Sequence, residues 1–98
     1  MIIIHVQVKI KPEKRDEFLD IAHQEAAHAR TLKGCIRYEW MGDVKDGNTF
    51  TVYEEWATQA DFDAYRNSDD FKQLNDVFAP LMAAAPDSHY YNAEPIPA

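Results

Sequence analysis

The chain has 98 residues, which is enough for one domain but too few to bury a large core without a partner. Hydrophobic residues make up 46% and aromatic residues 12% of it, a composition typical of globular proteins and not of disordered ones. Because 17 acidic residues oppose 10 basic ones, the formal net charge is −7, which disfavours nucleic acid and anionic membrane surfaces as partners.

The cysteine and histidine content limits the metal chemistry that is possible. Cys35 is the single cysteine, so the sequence excludes an internal disulfide and a multi-cysteine metal site. His23 and His28 cannot chelate one ion from one helix face at their spacing, so we predict no metal. The apolar N-terminal stretch is too short and too alternating for a signal peptide or a membrane span, so we expect a cytoplasmic protein.

Hydrophobic spacing predicts seven elements along the chain. Strands are indicated where apolar residues recur at every second position, and helices where they recur every three or four. Pro12 suits the first turn of one helix, and Gly34 is a natural residue past its end. The predicted elements, in order, are a strand over 2–10, a helix over 13–31, strands over 35–41 and 50–56, a short helix over 58–67, a further helix from Ser68 that ends before Pro86, and a strand over 89–93.

This order predicts an α+β fold on the ferredoxin-like plan, a four-stranded antiparallel sheet with helices on one face. The chain is expected to form a single domain over 1–98, in which 94–98 are an extended tail. The phase predicted to face the helices contains Ile36, Tyr38 and Trp40 on one strand and Phe50, Val52, Glu54 and Trp56 on the next.

The opposite phase of the sheet predicts an assembly. It carries Ile3, Cys35, Met41 and Tyr53 mixed with polar residues, and the helices cannot cover it. A two-fold homodimer that packs sheet against sheet would bury this face. The alternative is a monomer with one solvated face.

Four segments, in this order and spacing, carry a resemblance to a known family. They are Lys11–Lys14, Lys33–Trp40, Phe50–Trp56 and Asn67–Phe71. With them the chain resembles the antibiotic biosynthesis monooxygenase domains over essentially its whole length. The resemblance implies a dimeric α+β barrel with a substrate cavity in each subunit between the sheet and its helices. Family members include cofactor-independent monooxygenases of anthrones and quinols, an isomerase and haem-degrading enzymes, so the resemblance implies the fold before any one reaction.

The chain departs from the family pattern at four positions. Asp70 and Tyr65 stand where members often have histidine. The haem-degrading members need a histidine where this chain has Asn75 and an asparagine where it has Val6. Haem degradation is therefore not expected. Tyr65 and Asp70 are candidates for binding a different substrate, or marks of a protein that kept the barrel and lost the reaction.

Two residues are candidate catalytic bases. Glu54 is a carboxylate on the inward phase, where burial would raise its pKa toward the range of a general acid or base. His28 lies near the inner edge of the first predicted helix and titrates near neutrality. A structural hydrogen bond is the alternative role for Glu54, and a surface position is the alternative for His28.

Aromatic residues are the candidate substrate-binding groups. By the resemblance, Trp56 lines the pocket; Tyr38 and Trp40 are placed to orient and stack on a flat substrate. Phe71 and Phe78 belong to the apolar stripe of the last helix. Each of these residues is alternatively a packing residue of the core.

These residues suggest a cofactor-independent monooxygenase that acts on a quinol, an anthrone or a similar phenolic compound. An electron-rich ring can reduce dioxygen itself once deprotonated, so the protein need supply only a base, an aromatic cage and exclusion of water. The alternative is a non-redox isomerase or a small-molecule-binding dimer of the same fold. An oxygenase requires an ionisable group beside the substrate hydroxyl, whereas a binding protein requires only matched shape.

Overall fold

Four strands and three α-helices form the protein in a computed structural model that describes all 98 residues. The strands are β1 (Ile2–Lys9), β2 (Cys35–Gly42), β3 (Thr49–Trp56) and β4 (Asp87–Asn92), and the α-helices are α1 (Arg15–Ala29), α2 (Gln59–Arg66) and α3 (Asp69–Phe78). Single 3-10 turns cover Pro12–Lys14 and Ala79–Leu81. The predicted order of elements is confirmed.

The strands form one antiparallel sheet in the order β2-β3-β1-β4. Ile4 of β1 lies between Glu54 of β3 and Tyr90 of β4, which makes β1 and β3 the central strands. The helices pack on one face, as the ferredoxin-like plan requires. The predicted fold class is thus confirmed.

Short polar side chains determine where α2 and α3 begin. The hydroxyl of Thr58 accepts a hydrogen bond from the backbone N–H of Asp61 at 3.1 Å. The hydroxyl of Ser68 accepts one from the backbone N–H of Phe71 at 3.2 Å. Each bond satisfies an N–H that has no partner within the helix. The Ser68 cap separates α2 and α3, which would otherwise be one continuous helical region.

An irregularity in β2 overturns part of the predicted phase. Cys35 pairs with Trp56 but Arg37 pairs with Glu55, so β2 has one extra residue at this point. Cys35 therefore packs against the core, whereas Ile36 is 58% exposed. The prediction that Ile36 faces the helices and Cys35 the opposite side was wrong. Beyond the bulge the alternation resumes, which is why the inward placement of Tyr38 was correct.

The core divides into two clusters of buried side chains on the helix-covered face of the sheet. One is built around Trp56, Phe62 and Tyr65, and the other around Phe18 and Phe78. Val6 and Trp40 pack against both clusters. The space between the clusters contains the cavity described below.

The opposite face of the sheet has no covering element within the chain. Ile3 and Tyr53 are partly exposed there, and Tyr91 is exposed. The rings of His5 and His89 lie beside each other on the same face, with centroids 6.5 Å apart. No helix in the structure has both the length and the apolar character needed to cross a membrane.

Candidate active site

A cavity of about 270 Å³ lies between the sheet and the helices α2 and α3. Its wall is mainly apolar, and Glu54 is the only residue on it with a charged side chain. The lining residues include Val6, Tyr38, Trp40, Glu54, Phe71, Asn75, Phe78 and Tyr90. An apolar pocket with few polar groups is the usual form of a small-molecule site.

Glu54 is held inside the protein by the alternation of β3. Its residue is only 5% exposed, and its Oε1 accepts a hydrogen bond from Nε1 of Trp56 at 2.9 Å. Burial raises the pKa of Glu54 to about 7; the Trp56 bond opposes this rise, and the charge of Glu25 adds to it. The carboxyl group can therefore both accept and release a proton near neutral pH.

Tyr38 lies directly opposite Glu54 on the neighbouring strand. The two residues are cross-strand partners on the inward face, where paired side chains are in contact range. Tyr38 is buried, and burial together with the nearby Glu54 charge raises the pKa of its hydroxyl. The phenol therefore stays neutral and keeps a proton to donate.

A second buried acid lies behind the cavity wall. The hydroxyl of Tyr65 donates a hydrogen bond to Oε1 of Glu25 at 2.6 Å, which joins α2 to α1. The ring of Tyr65 stacks on Trp56 with centroids 5.1 Å apart and stands edge-on to Tyr38 at 6.3 Å. Burial is the main cause that raises the pKa of Tyr65. Tyr65 thus connects the Glu54–Trp56 pair to Glu25.

Aromatic rings form much of the remaining wall. Trp40 stands edge-on to Phe18 at 5.2 Å and to Phe78 at 6.1 Å, so its plane is locked by packing. Its indole Nε1 is buried and has no hydrogen-bond partner. Phe71 packs edge-on against Tyr65 at 5.1 Å. A flat apolar molecule in the cavity would meet ring surfaces on the sheet side and on the α3 side.

The family model for antibiotic biosynthesis monooxygenases matches residues 1–77. The chain belongs to the antibiotic biosynthesis monooxygenase family. The match contains β1 to β3, α1 and α2, and all but the end of α3, and thus every residue of the Glu54, Tyr38 and Tyr65 arrangement.

Two curated relatives extend this comparison. The chain is 38% identical over 60 residues to the Bacillus subtilis protein YcnE, which is named as a proposed monooxygenase, with 61% of this chain and 63% of YcnE aligned. It is 27% identical over 82 residues to the uncharacterised Synechocystis protein sll1783, with 84% of this chain and 56% of that protein aligned. The chain thus spans less than two thirds of the length of either relative.

Solved structures show the same fold at low sequence identity. A proposed antibiotic biosynthesis monooxygenase from Deinococcus radiodurans superposes with a TM-score of 0.94 at 18% identity, covering 100% of this chain and 97% of that one. One from Caulobacter crescentus superposes with a TM-score of 0.90 at 25% identity, covering 96% and 90%. The fold of the monooxygenase family therefore extends over the whole chain, including β4, which lies outside the matched residues.

The site residues predicted from the sequence fall into three groups in this family member. Glu54, Tyr38, Trp40, Phe71 and Phe78 line the cavity. Trp56 and Tyr65 are buried behind the cavity wall. Trp56 donates a hydrogen bond to Glu54, and the ring of Tyr65 packs edge-on against Tyr38.

His28 and Asp70 lie elsewhere. Nε2 of His28 is 3.4 Å from the carboxylate of Asp70, in an outer groove between α1 and α3. The side chain of His28 is 39% exposed. The expectation that His28 lies near the inner edge of α1 is wrong, because Ala22, Ala26 and Ala29 occupy that edge and turn His28 toward α3. His28 is therefore not a base for a ligand in this cavity.

Several residues of the site were missed by sequence reasoning. Glu25 lies on the buried face of α1, and an acid among alanines at helical spacing was the signal that could have found it. Asn75 and Tyr90 also line the cavity; the resemblance to haem-degrading members was a signal for Asn75, whereas the pattern around Tyr90 differs little from that of surface residues. No group of three or more His, Cys, Asp or Glu side chains is arranged to hold a metal ion.

Proposed function

We propose that this chain is a cofactor-independent monooxygenase of an electron-rich phenolic compound, such as a quinol or an anthrone. The observation that carries the proposal is Glu54, the only residue with a charged side chain on an otherwise largely apolar and aromatic cavity wall. A buried carboxyl group that titrates near neutral pH is suited to general base catalysis. The family membership supports a monooxygenase reaction.

The chemistry requires little besides a base and a dry cavity. Glu54 accepts the proton of the substrate hydroxyl, and the resulting anion transfers electrons to dioxygen without an external reductant. One oxygen atom stays on the oxidised ring carbon, and the other leaves as water with the two protons that the substrate loses. Tyr38, neutral and opposite Glu54, donates a hydrogen bond that orients the substrate oxygen. Trp40, Phe71 and Phe78 hold the ring and exclude water.

The functional unit is proposed to be a homodimer that packs sheet against sheet. Its support is the uncovered face of the sheet, where Ile3, Tyr53 and Tyr91 are wholly or partly exposed. Burial of such a face stabilises a chain too small to bury a large core alone.

Oxygen uptake with a panel of hydroquinones and anthrones tests the reaction. Each rate is corrected for autoxidation without protein, and Glu54→Gln is compared with Glu55→Gln, whose carboxylate lies on the opposite face of β3. We expect saturable uptake by the native protein and a fall in kcat/KM of about 100-fold or more in Glu54→Gln, the usual contribution of a general base. Glu55→Gln should stay within about twofold of the native rate, since residue 55 lies across the sheet from the cavity and the amide oxygen can still accept the hydrogen bond from Tyr53. Equal rates for the native protein and Glu54→Gln would refute the role of Glu54.

A non-redox isomerase or binding dimer is the second candidate, favoured by one observation. Oε1 of Glu54 already accepts a hydrogen bond from Trp56, so a structural role for this carboxylate has a contact of its own. Saturable binding of the same compounds, detected by quenching of tryptophan fluorescence, without oxygen uptake above background would favour this candidate over the oxygenase.

A further inference from the structure

A chain of buried polar side chains leads from the cavity to the outer groove between α1 and α3. Tyr38 lines the cavity, and Tyr65 lies behind it in the core. Glu25 accepts the hydrogen bond from Tyr65 and also lines the outer groove between α1 and α3, together with His28 and Asp70. One end of the chain thus meets the proposed base, and the other meets solvent.

The members of this chain are neighbours in the core, and the last two are joined by a hydrogen bond. Glu54 and Tyr38 are directly opposed cross-strand partners. The rings of Tyr38 and Tyr65 stand edge-on with centroids 6.3 Å apart. Tyr65 then donates to Oε1 of Glu25 at 2.6 Å, a distance typical of a strong bond to a carboxylate. Four polar groups from β3, β2, α2 and α1 are therefore aligned through the core.

Packing alone does not account for this arrangement. Burying a carboxylate is unfavourable, and apolar residues of similar size often serve a core as well or better. The chain nevertheless buries Glu25 and Glu54 within one core region, where their charges repel and add to the rise in the pKa of Glu54. An arrangement that is unfavourable for folding is more often found where it has a function.

We propose that Tyr38, Tyr65 and Glu25 carry protons between Glu54 and the solvent of the outer groove. The inference rests on the proposed role of Glu54 and adds how that base is reset while substrate fills the cavity. With the Tyr38 hydroxyl turned from the substrate oxygen toward Tyr65, the proton on Glu54 passes to the Tyr38 oxygen as the Tyr38 proton passes to Tyr65. The Tyr65 proton passes to Oε1 of Glu25, which releases it to water. Each transfer breaks one O–H bond and forms another, so both phenols remain neutral and no electron is transferred.

A pH jump on the substrate-free protein tests the relay without any turnover. Time-resolved infrared absorption of the protonated carboxyl group follows Glu54 directly, and its band is assigned as the one lost in Glu54→Gln. Two variants interrupt the route: Glu25→Gln keeps an oxygen that accepts from Tyr65 but cannot take up the proton, and Tyr65→Phe keeps the ring that stacks on Trp56. We expect the protonation of Glu54 to slow tenfold or more in both variants.

A second tyrosine–glutamate pair provides the matched control. The hydroxyl of Tyr53 donates to Glu55 at 2.6 Å, the same distance as in the Tyr65–Glu25 pair, but on the opposite face of the sheet. Tyr53→Phe and Glu55→Gln should therefore leave the Glu54 rate at its native value. If Glu25→Gln and Tyr65→Phe also keep the native rate, protons reach Glu54 through the mouth of the cavity and the relay is wrong.

The outcome is separable from the test of the proposed function. Oxygen uptake that depends on Glu54, with no effect of Glu25→Gln on the pH-jump rate, would refute the relay and leave the oxygenase standing. A slowed pH-jump rate without oxygen uptake would support the relay in a protein of another activity. Glu25→Gln preserves the shape of the side chain, so we expect the variant to fold. Circular dichroism and unfolding by urea check that a slow rate does not come from a disrupted fold.

Discussion

At the scale of single residues, Glu54 shows how alternation along a strand can place an ionisable side chain inside a cavity. Alternation along β3 places its side chain inward, and the neighbours Trp56 and Tyr38 then determine what the carboxyl group can do. The inward phase and the burial of Glu54 were predictable from the sequence. The partner of its carboxylate was not, because a side chain on the inward face can meet any element that packs there.

The raised pKa of Glu54 makes a prediction about stability. Since its folded pKa is about 7 against an unfolded value of 4.5, the folded protein binds more protons between these pH values. The contribution of proton binding at Glu54 to the unfolding free energy is thus fully present below pH 4.5 and is lost as pH rises through about 7. Glu54→Gln should gain about 3 kcal/mol in unfolding free energy relative to the native protein over this window, at 1.36 kcal/mol per pKa unit. Urea unfolding at pH 4.5 and pH 8 measures the difference, and a pH-independent difference would contradict it.

At the scale of elements, turns and caps determined the boundaries more than hydrophobic spacing did. Thr58 and Ser68 were recognisable as caps of α2 and α3, because their side chains accept from backbone N–H groups three residues on. The bulge at Cys35 was not recognisable, since one extra residue leaves no mark in composition. Because of the bulge, Cys35 faces the core in place of Ile36, whereas Tyr38 still faces inward as predicted.

The turn between α1 and β2 should tolerate no side chain at Gly34. Its φ is +81°, and a Cβ there would overlap the side chain of Asp61. Gly34→Ala should lower the unfolding free energy by about 1–2 kcal/mol for the left-handed backbone alone, and further for the overlap. Adding Asp61→Gly, which also removes the Cβ of residue 61 that the new methyl group would overlap, should recover the second part only. Urea unfolding of the single and double variants measures this.

The control for this prediction lies in the hairpin loop. Gly47 has no positive φ, and a Cβ there would meet no atom within 4 Å. Gly47→Ala should therefore leave the unfolding free energy nearly unchanged. Equal effects at Gly34 and Gly47 would show that the conformation of Gly34 is not a constraint.

At the scale of the whole molecule, the uncovered sheet face is the basis of the dimer prediction. Ile3 lies on the central strand β1 and projects from that face, opposite Tyr91 on β4. We expect sedimentation velocity to show a dimer of the native chain. Ile3→Asp should shift it toward the monomer, because a carboxylate on each copy would be buried without a partner.

Val44 provides the matched control for the dimer prediction. It is 97% exposed in the loop between β2 and β3, away from the proposed interface. Val44→Asp should sediment as the native chain does. A native protein that remains a monomer at high concentration would refute the dimer, and circular dichroism shows whether Ile3→Asp is still folded.

The sequence by itself determined the order of elements, the fold class, the inward phase of β3 and the helix caps of this antibiotic biosynthesis monooxygenase family member. These features follow from local periodicity and from residues that act on their own backbone. Only the tertiary structure decided which candidate residues share the cavity. Tyr65 and Glu25 are 40 residues apart in the chain, and His28 turned toward α3 because three alanines occupied the inner edge of α1. Such contacts depend on how helices pack across a sheet, which the spacing of one segment does not contain.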